Sequence, residues 1–205
     1  MDIKALFNLS YGVFVLGAKD GDVVNACITN TCMQVANEPT RVAIACINKN
    51  FTCDLIKKSK AFALSILDES CTFDVIKHFG FQSGRNVNKF ADFPYEQDAN
   101  GSPFLKNYIC SVLTCKVCEM HDLGSHTLFI AEVQDAVLKS ERAPITYAYY
   151  QSTIKPKAQA QTNDKKIVGW RCKICGYEYK EEKLPADFIC PMCGHDASDF
   201  EPIFG

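Results

Sequence analysis

The sequence predicts a mainly β protein, a β-barrel with short helices followed by a small C-terminal metal-knuckle domain. Three observations lead there. Over residues 1–150, short apolar runs rich in β-branched residues alternate with turn signals. Over 151–166 the composition shifts to Gln, Lys, Ala, Thr and Pro. Beyond that, four cysteines fall into two Cys-x-x-Cys pairs. Many short strands with few helices favour a closed barrel over a parallel sheet.

The opening stretch, 5–18, is apolar and follows Lys4, so it loosely imitates a signal peptide. Asp2 precedes it, Asn8, Ser10 and Tyr11 interrupt it, and no Ala-x-Ala site is evident, which favours an opening strand. Strands at 13–17 and 23–29 flank Lys19-Asp20-Gly21-Asp22, a strong hairpin signal. Strands at 42–48 and 61–67 bracket a short helix over 52–59. A second helix over 72–79 stops at Gly80, a natural C-terminal position for glycine. Strands at 108–117 and 127–138 complete the set. Residues 80–107 show little regular pattern, yet Phe81, Phe90, Phe93, Tyr95 and Phe104 argue against disorder, so a functional loop is expected. Residues 151–166 have almost nothing to bury and are expected to form a linker between domains at 1–150 and 167–205.

A chain of 205 residues accommodates one full domain and a small appendage. A net charge of −2 gives no electrostatic case for nucleic acid or anionic lipid. No stretch approaches the apolar length that spans a membrane. Neither a Gly-x-Gly-x-x-Gly nor a P-loop occurs, which argues against a classical dinucleotide-binding domain. Of the 12 cysteines, eight are scattered through the first 118 residues, mostly in apolar runs where a thiol packs as a small hydrophobe. A domain of this size has its own core and needs no disulfide staples, so a reducing cytoplasm is expected.

Cys172-x-x-Cys175 and Cys190-x-x-Cys193 carry the strongest chemical signal. Two such turns facing each other build a tetrahedral cage of four sulfurs. Gly176 and Gly194 each follow the second cysteine of a pair, where a positive φ lets backbone N–H groups point at thiolates. A tetrahedral four-sulfur site accepts zinc or iron. Trp170, Tyr177, Tyr179, Phe188 and Phe200 form a dense aromatic jacket that suits redox iron better than a structural zinc.

Trp170-Arg-Cys-Lys-Ile-Cys-Gly-Tyr-Glu-Tyr179, Leu184-Pro-Ala-Asp-Phe-Ile-Cys-Pro-Met-Cys-Gly194 and Asp199-Phe-Glu-Pro202 resemble rubredoxin, with the shorter inter-pair spacing of the domain that ends rubrerythrin. Farther upstream, Asn25-Ala-Cys-Ile-Thr-Asn-Thr31, Glu38-Pro39, residues 42–48, Ser83-Gly84-Arg85 with Lys89-Phe90, and Ser125-His-Thr-Leu-Phe-Ile-Ala-Glu-Val133 stand in the order found in the flavin reductase-like family of FMN-binding split barrels. Together they resemble the high-molecular-weight rubredoxins of anaerobic microbes.

The resemblance implies a homodimer with FMN near the subunit interface. It implies electron flow from NAD(P)H, directly or through a separate NADH reductase, to an iron held by the four cysteines and then to a flavodiiron protein that reduces oxygen or nitric oxide. By position, Thr29, Asn30, Thr31 and Cys32 are expected beside the isoalloxazine. Asn48, Lys49 and Thr52 are expected at the phosphate, although Asn50 and Thr52 serve equally as helix caps. Ser83, Gly84 and Lys89 are expected to close over the cofactor, and Arg85 to do likewise or to form a surface ion pair. His126 falls at the family's histidine near flavin or nicotinamide, or is a core histidine. Cys115 and Cys118 lie three apart on a strand and point to opposite faces, so no redox pair is expected there. Two rival readings remain at this level: a passive carrier reduced by another flavoprotein, and a flavin- or haem-sensing barrel with a structural zinc tail.

Overall fold

The computed structural model describes residues 3–156 and 167–205. These residues form two compact units, one over Leu9–Lys155 and one holding the C-terminal domain.

In the larger unit, strands β1 (Phe14–Asp20), β2 (Val23–Thr29), β3 (Cys32–Asn37), β4 (Thr40–Ile47), β5 (Ala61–Leu67), the small hairpin β6 (Tyr95–Gln97) and β7 (Pro103–Leu105), and the long strands β8 (Ile109–Asp122) and β9 (His126–Leu138) follow in chain order. Seven of them form one antiparallel sheet in the order β2-β1-β5-β8-β9-β4-β3. Its two edge strands, β2 and β3, are consecutive in the chain, and their junction bonds to β4. Thr29 Oγ1 donates to the Ala45 carbonyl at 3.2 Å, and Ala45 N donates to the Thr31 carbonyl at 3.3 Å. The sheet thereby curls back on itself at residues 29–32.

Strand β1 is buried on both faces, and its alternation divides the core. Phe14, Leu16 and Ala18 point into one cluster with Ile44, Phe62, Leu64 and Phe129, closed by Leu55 and Ile56 of helix α1 (Phe51–Ser59). Val13 and Val15 point into a second cluster with Phe79 of helix α2 (Phe73–Gly80), Leu105 and Tyr150. Phe62, Phe79 and Phe129 are completely inaccessible. Each such side chain stabilises the fold by about 1.5–3 kcal/mol, and truncating one to alanine costs about 3–5 kcal/mol once the cavity is included.

Most of the predicted strands and helices are present, but the stretch expected to open as a strand begins with a 3-10 helix, Ile3–Asn8, and strand starts only at Phe14. Strand β3 was not expected, because Met33, Gln34 and Val35 are exposed on an edge and leave no alternating pattern to read. The patternless region 80–107 is tied down by Phe79 packing on Phe90 and Phe93, at centroid distances of 5.5 and 4.9 Å, and contains the β6–β7 hairpin. Residues 151–154, placed in the linker for their composition, form part of a π-helical turn, Tyr150–Ile154, in which Lys155 N donates to the Tyr150 carbonyl at 2.8 Å. Tyr150 and Ile154 both pack on the second core cluster, and that burial outweighs the polar composition between them. Residues 157–166 of the expected linker lie outside the described residues.

The C-terminal unit is a three-stranded sheet, β11-β10-β12, with β10 (Ile167–Cys172) between β11 (Glu178–Tyr179) and β12 (Phe200–Phe204). Among the described residues, no helix is long and apolar enough to cross a membrane.

Candidate functional site

The two cysteine knuckles repeat one hydrogen-bond pattern. Cys172 N donates to the Tyr177 carbonyl at 2.8 Å and Gly176 N to the Cys172 carbonyl at 2.9 Å. In the second knuckle, Cys190 N donates to the His195 carbonyl at 2.7 Å and Gly194 N to the Cys190 carbonyl at 2.9 Å. Gly176 and Gly194 have φ values of +75° and +74°, which turn the chain tightly after each pair and disfavour a side chain there.

The four sulfurs lie within 4.8 Å of one another, with Cys172–Cys193 at 3.6 Å and Cys175–Cys190 at 3.4 Å. A tetrahedral site with metal–sulfur bonds of about 2.3 Å has sulfur–sulfur edges of about 3.8 Å, so the cage fits one such ion. The thiols act on one another: a hydrogen bond from Cys172 leads in drawing Cys175 down to about 7 and in lowering Cys190, while Cys172 and Cys193 are pushed up. Backbone N–H groups of Cys175, Tyr177, Met192 and His195 reach the sulfurs of Cys172, Cys175, Cys190 and Cys193 respectively. Such bonds favour the thiolate, the form a metal needs. The predicted jacket is present around the cage. Tyr179 lies 4.4 Å from Phe188, which meets Phe200 edge-on at 5.3 Å, and Trp170 and Tyr177 pack on the same cluster.

At the end of the barrel where the sheet closes, most of the other candidate residues meet. Thr31 Oγ1 donates to Asn30 Oδ1 at 3.1 Å, and both residues are half-buried, as is Cys32. Burial raises the Cys32 thiol to about 12, so it is neutral at ordinary pH. Strand β4 pairs Ile47 with His126, which sets the histidine beside the Asn48–Lys49 turn leading into α1. His126 Nδ1 lies 2.8 Å from Ser125 Oγ, and desolvation lowers its pKa.

Several side chains at this end have structural work. Asn48 Nδ2 donates to Asp122 Oδ1 at 3.0 Å and to the Gly124 carbonyl at 2.8 Å. Its Oδ1 accepts from Thr127 Oγ1 at 2.5 Å and from Lys57 Nζ at 3.3 Å. The amide is thus saturated by the β8–β9 turn. Asn50 caps α1, accepting from Thr52 N at 3.0 Å, and Thr52 Oγ1 is buried against Asn25. Asn48 and Thr52 are both expected at the phosphate, but their backbone N–H groups are already bonded, that of Asn48 to the Ser125 carbonyl at 2.9 Å and that of Thr52 to Asn50. Lys49 remains exposed at the start of α1.

The Ser83–Gly84 turn lies over Asn25. A Cβ on Gly84 would sit 2.0 Å from Asn25 Oδ1, so no larger residue fits. Ser83 Oγ is exposed and accepts from Arg85 N at 3.2 Å. Arg85 pairs with Asp54 and stands 5.1 Å over the Phe51 ring, fastening this turn to α1. Lys89 points the other way. Its ammonium is buried, donating to the Ala26 carbonyl at 2.9 Å and the Phe79 carbonyl at 2.8 Å, and so secures the loop from inside. Cys115 is buried, with burial raising its pKa beyond the ordinary thiol range, whereas Cys118 is exposed; the two do not form a pair.

Sequence reasoning passed over Asn25 as a site residue, although it opens a quoted motif, because a strand asparagine gives no periodic signal. The resulting rim combines an exposed lysine and a guanidinium at the start of α1 with half-buried amide and hydroxyl groups. That set suits a planar heteroaromatic ligand with an anionic tail.

Comparison with known proteins gives concordant matches. Residues 6–157 match the family described as flavin reductase like domain, and residues 170–201 match the rubrerythrin, rubredoxin-like domain. A high molecular weight rubredoxin from Moorella thermoacetica is 31% identical over 99% of this chain and 100% of its own length. A ferric-chelate reductase (NAD(P)H) from Archaeoglobus fulgidus is 32% identical over 77% of this chain and 93% of its own. Among solved structures, the flavin reductase PheA2 in its native state superposes with a TM-score of 0.61 at 26% identity, covering 78% of this chain and 100% of that one.

Proposed function

Because the chain belongs to the flavin reductase-like family, with a rubredoxin-like domain following the barrel in sequence, it is a flavin-dependent oxidoreductase, and we propose that it passes reducing equivalents from NAD(P)H through FMN to an iron held by Cys172, Cys175, Cys190 and Cys193. The observation that carries this reading is the four-sulfur cage in the same chain as a flavin-reductase barrel, matched end to end by a rubredoxin relative. The acceptor is proposed to be a flavodiiron-type oxygen or nitric oxide reductase, and the protein a cytoplasmic homodimer.

When bound, FMN would supply a centre that accepts the two electrons of one hydride and releases them singly, and an iron on four thiolates would supply a one-electron carrier. The protein's own groups do the rest. The backbone of Thr29, Asn30, Thr31 and Cys32 is proposed to line the flavin ring. Lys49 adds positive charge where the N-terminal end of α1 already favours an anion. Ser83 and Gly84, fastened by Arg85, cover the same end. His126, held uncharged by desolvation, is proposed to orient the flavin or nicotinamide by hydrogen bonding. Asn48 and Thr52 act one step removed, holding the β8–β9 turn and Asn25, and Lys89 secures the loop from beneath. At the cage, the aromatic side chains keep water from the sulfurs and the backbone N–H groups stabilise the thiolates.

An anaerobic titration with NADH and with NADPH, following flavin and iron absorbance separately, tests the reading. Bleaching of the flavin followed by the iron is expected. If neither nicotinamide reduces either centre while a reduced flavoprotein reduces both, the protein is a carrier and the proposed donor is wrong.

A further inference from the structure

A groove opens at the end of β9 opposite His126. The strand carries His126 at its start and Leu138 at its finish, about 40 Å apart along an extended chain. Beside Leu138 lie two adjoining clefts. One, of about 610 Å³, is walled by Ile66, Cys110, Leu138 and Pro144, and the other, of about 380 Å³, by Asp68, Ser70, Lys106 and Tyr108. Lys139, Ser140 and Arg142 line both, so the two form one groove with an apolar half and a polar half.

The walls of this groove are fixed from within. Asp68 N donates to the Tyr108 carbonyl at 3.0 Å, Glu69 N to the Ala143 carbonyl at 3.2 Å and Lys139 N to the Cys110 carbonyl at 2.7 Å. Asp68 is only 1% exposed. Its Oδ1 accepts from Ser70 N at 2.8 Å and Ser70 Oγ at 2.5 Å, and its Oδ2 from Ser140 Oγ at 3.0 Å, with the Arg142 guanidinium 4.0 Å away. The buried carboxylate is thus satisfied by hydroxyl and amide donors, and it anchors Arg142, whose outer face stays open to solvent. Lys106 stands exposed on the same polar half, whereas Lys139 is engaged by Glu96 at 3.2 Å. Tyr108 has a φ of +68°, a left-handed conformation that a bulky residue rarely adopts. Lys60, the other such non-glycine among the described residues, closes α1 as its C-cap. Tyr108 caps no helix; it lines the groove, and strain of this kind gathers at ligand sites.

We propose that this groove is a second ligand site, separate from the candidate flavin site, and that it takes a small monocarboxylate with an aliphatic body. Arg142 pairs with the carboxylate, with Lys106 adding charge from the same side, while Ile66, Leu138 and Pro144 receive the chain. A guanidinium fork matches the two oxygens of a carboxylate, and Asp68 holds that fork at the polar half. The exposed Glu141 on the apolar half repels a second negative charge, which favours a monoacid over a diacid. The larger cleft falls within the ordinary size of small-molecule sites, about 300–1,000 Å³. The proposal is independent of the flavin reading, since none of these residues belongs to that site.

The test is a methyl NMR titration of the full-length protein, labelled at isoleucine, with sodium hexanoate and with hexan-1-ol as the uncharged control. Ile66 and Ile109 line the groove and are assigned by their single valine variants, and Ile47 reports on the candidate flavin site. Hexanoate at about 10 mM, near saturation for a millimolar Kd, should shift Ile66 and Ile109 and leave Ile47 in place. Arg142→Gln, a change at an exposed side chain, should raise the Kd by about ten-fold, the ordinary worth of a charged hydrogen bond. Hexan-1-ol should bind more weakly by a similar factor. Absence of any shift at Ile66 and Ile109 overturns the proposal, as does a shift at Ile47 in their stead. Equal binding of acid and alcohol, or an Arg142→Gln protein that binds hexanoate undiminished, overturns the assignment of a carboxylate to Arg142.

Discussion

Asn25 donates its side-chain amide to the hydroxyl of Thr52 at 2.8 Å, both residues being almost wholly buried. This bond joins β2 to the first turn of α1, and Gly84 rests on the other side of the same amide. Three segments of the candidate flavin site therefore share one hydrogen-bonding group.

Asn25→Ala leaves the Thr52 hydroxyl buried without its donor and should destabilise the barrel by about 1–3 kcal/mol. Urea unfolding measures the loss. Flavin affinity should fall for FMN and riboflavin alike, because the residue acts on the shape of the site. A selective loss of FMN would place Asn25 in contact with the phosphate.

Lys49→Ala should behave oppositely. The fold carries no dependence on this exposed side chain, so stability stays unchanged. FMN binding should weaken by about 3–10-fold, the ordinary worth of one charge near a phosphate, with riboflavin binding unaffected. Equilibrium fluorescence titration with both flavins reads the difference. Equal affinity losses would move the phosphate away from α1.

At the metal site, Cys190→Ser removes one ligand from a cage in which every sulfur has a backbone donor. The isolated wild-type protein should be red with one iron per chain, and the variant should lack that colour while retaining the flavin spectrum. Metal analysis of anaerobically grown material decides between the metals. Stoichiometric zinc with no iron would end the redox reading of the tail.

The depressed pKa of His126 ties stability to acidity. Below the ordinary histidine value of about 6.5 the unfolded chain binds the proton more readily than the folded one, so stability falls as pH drops through and beneath that value. Above it, both states are neutral and the contribution no longer changes. His126→Gln should flatten this acid limb in thermal melts run from pH 7.5 downward. An identical limb in the variant would show that another group governs it.

Composition predicts a tether between the domains; beyond the packed Tyr150–Ile154 turn about 12 residues of it remain, and a random coil of that length would span roughly 17–21 Å. Such a tether would set an effective concentration of roughly millimolar for the exchange between the two domains. Cleavage within residues 157–166, away from the packed Tyr150–Ile154 turn, should leave flavin reduction intact and make iron reduction depend on the concentration of the freed tail. Equal rates for cut and intact protein at micromolar concentration would refute a role for tethering.

How much of this was legible in sequence follows from the kind of signal each part leaves. The cysteine cage was fully readable, because its ligands lie in two short repeats and the knuckle geometry is local. The buried strands were readable as short apolar, β-branched runs, whereas β3 was not, since an edge strand with exposed Met33 and Val35 has no inward face to mark it. At the candidate flavin site, the order of motifs picked out segments that the fold brings together, but not the direction of each side chain. Lys89 and Arg85 lie four residues apart in one loop, yet one ammonium is sealed under the barrel wall and the other cation stands outside on Phe51. Only tertiary packing makes that distinction, as it does for Thr52, whose hydroxyl turns inward to Asn25 instead of outward.

The buried ammonium of Lys89 also decides how the loop after α2 moves. Its two carbonyl partners sit on β2 and at the end of α2, so lifting the loop would strip both and draw a charge through an apolar layer. Fraying by small steps is thereby suppressed, and residues 81–90 should open with the barrel or not at all. Amide hydrogen exchange would display this as protection of Phe90 on a par with the central strands, in a segment that by composition resembles a surface loop. Entry and exit of ligands at this end then fall to the outer fastening, where Arg85 releases Asp54 and Phe51 while the inner anchor stays in place.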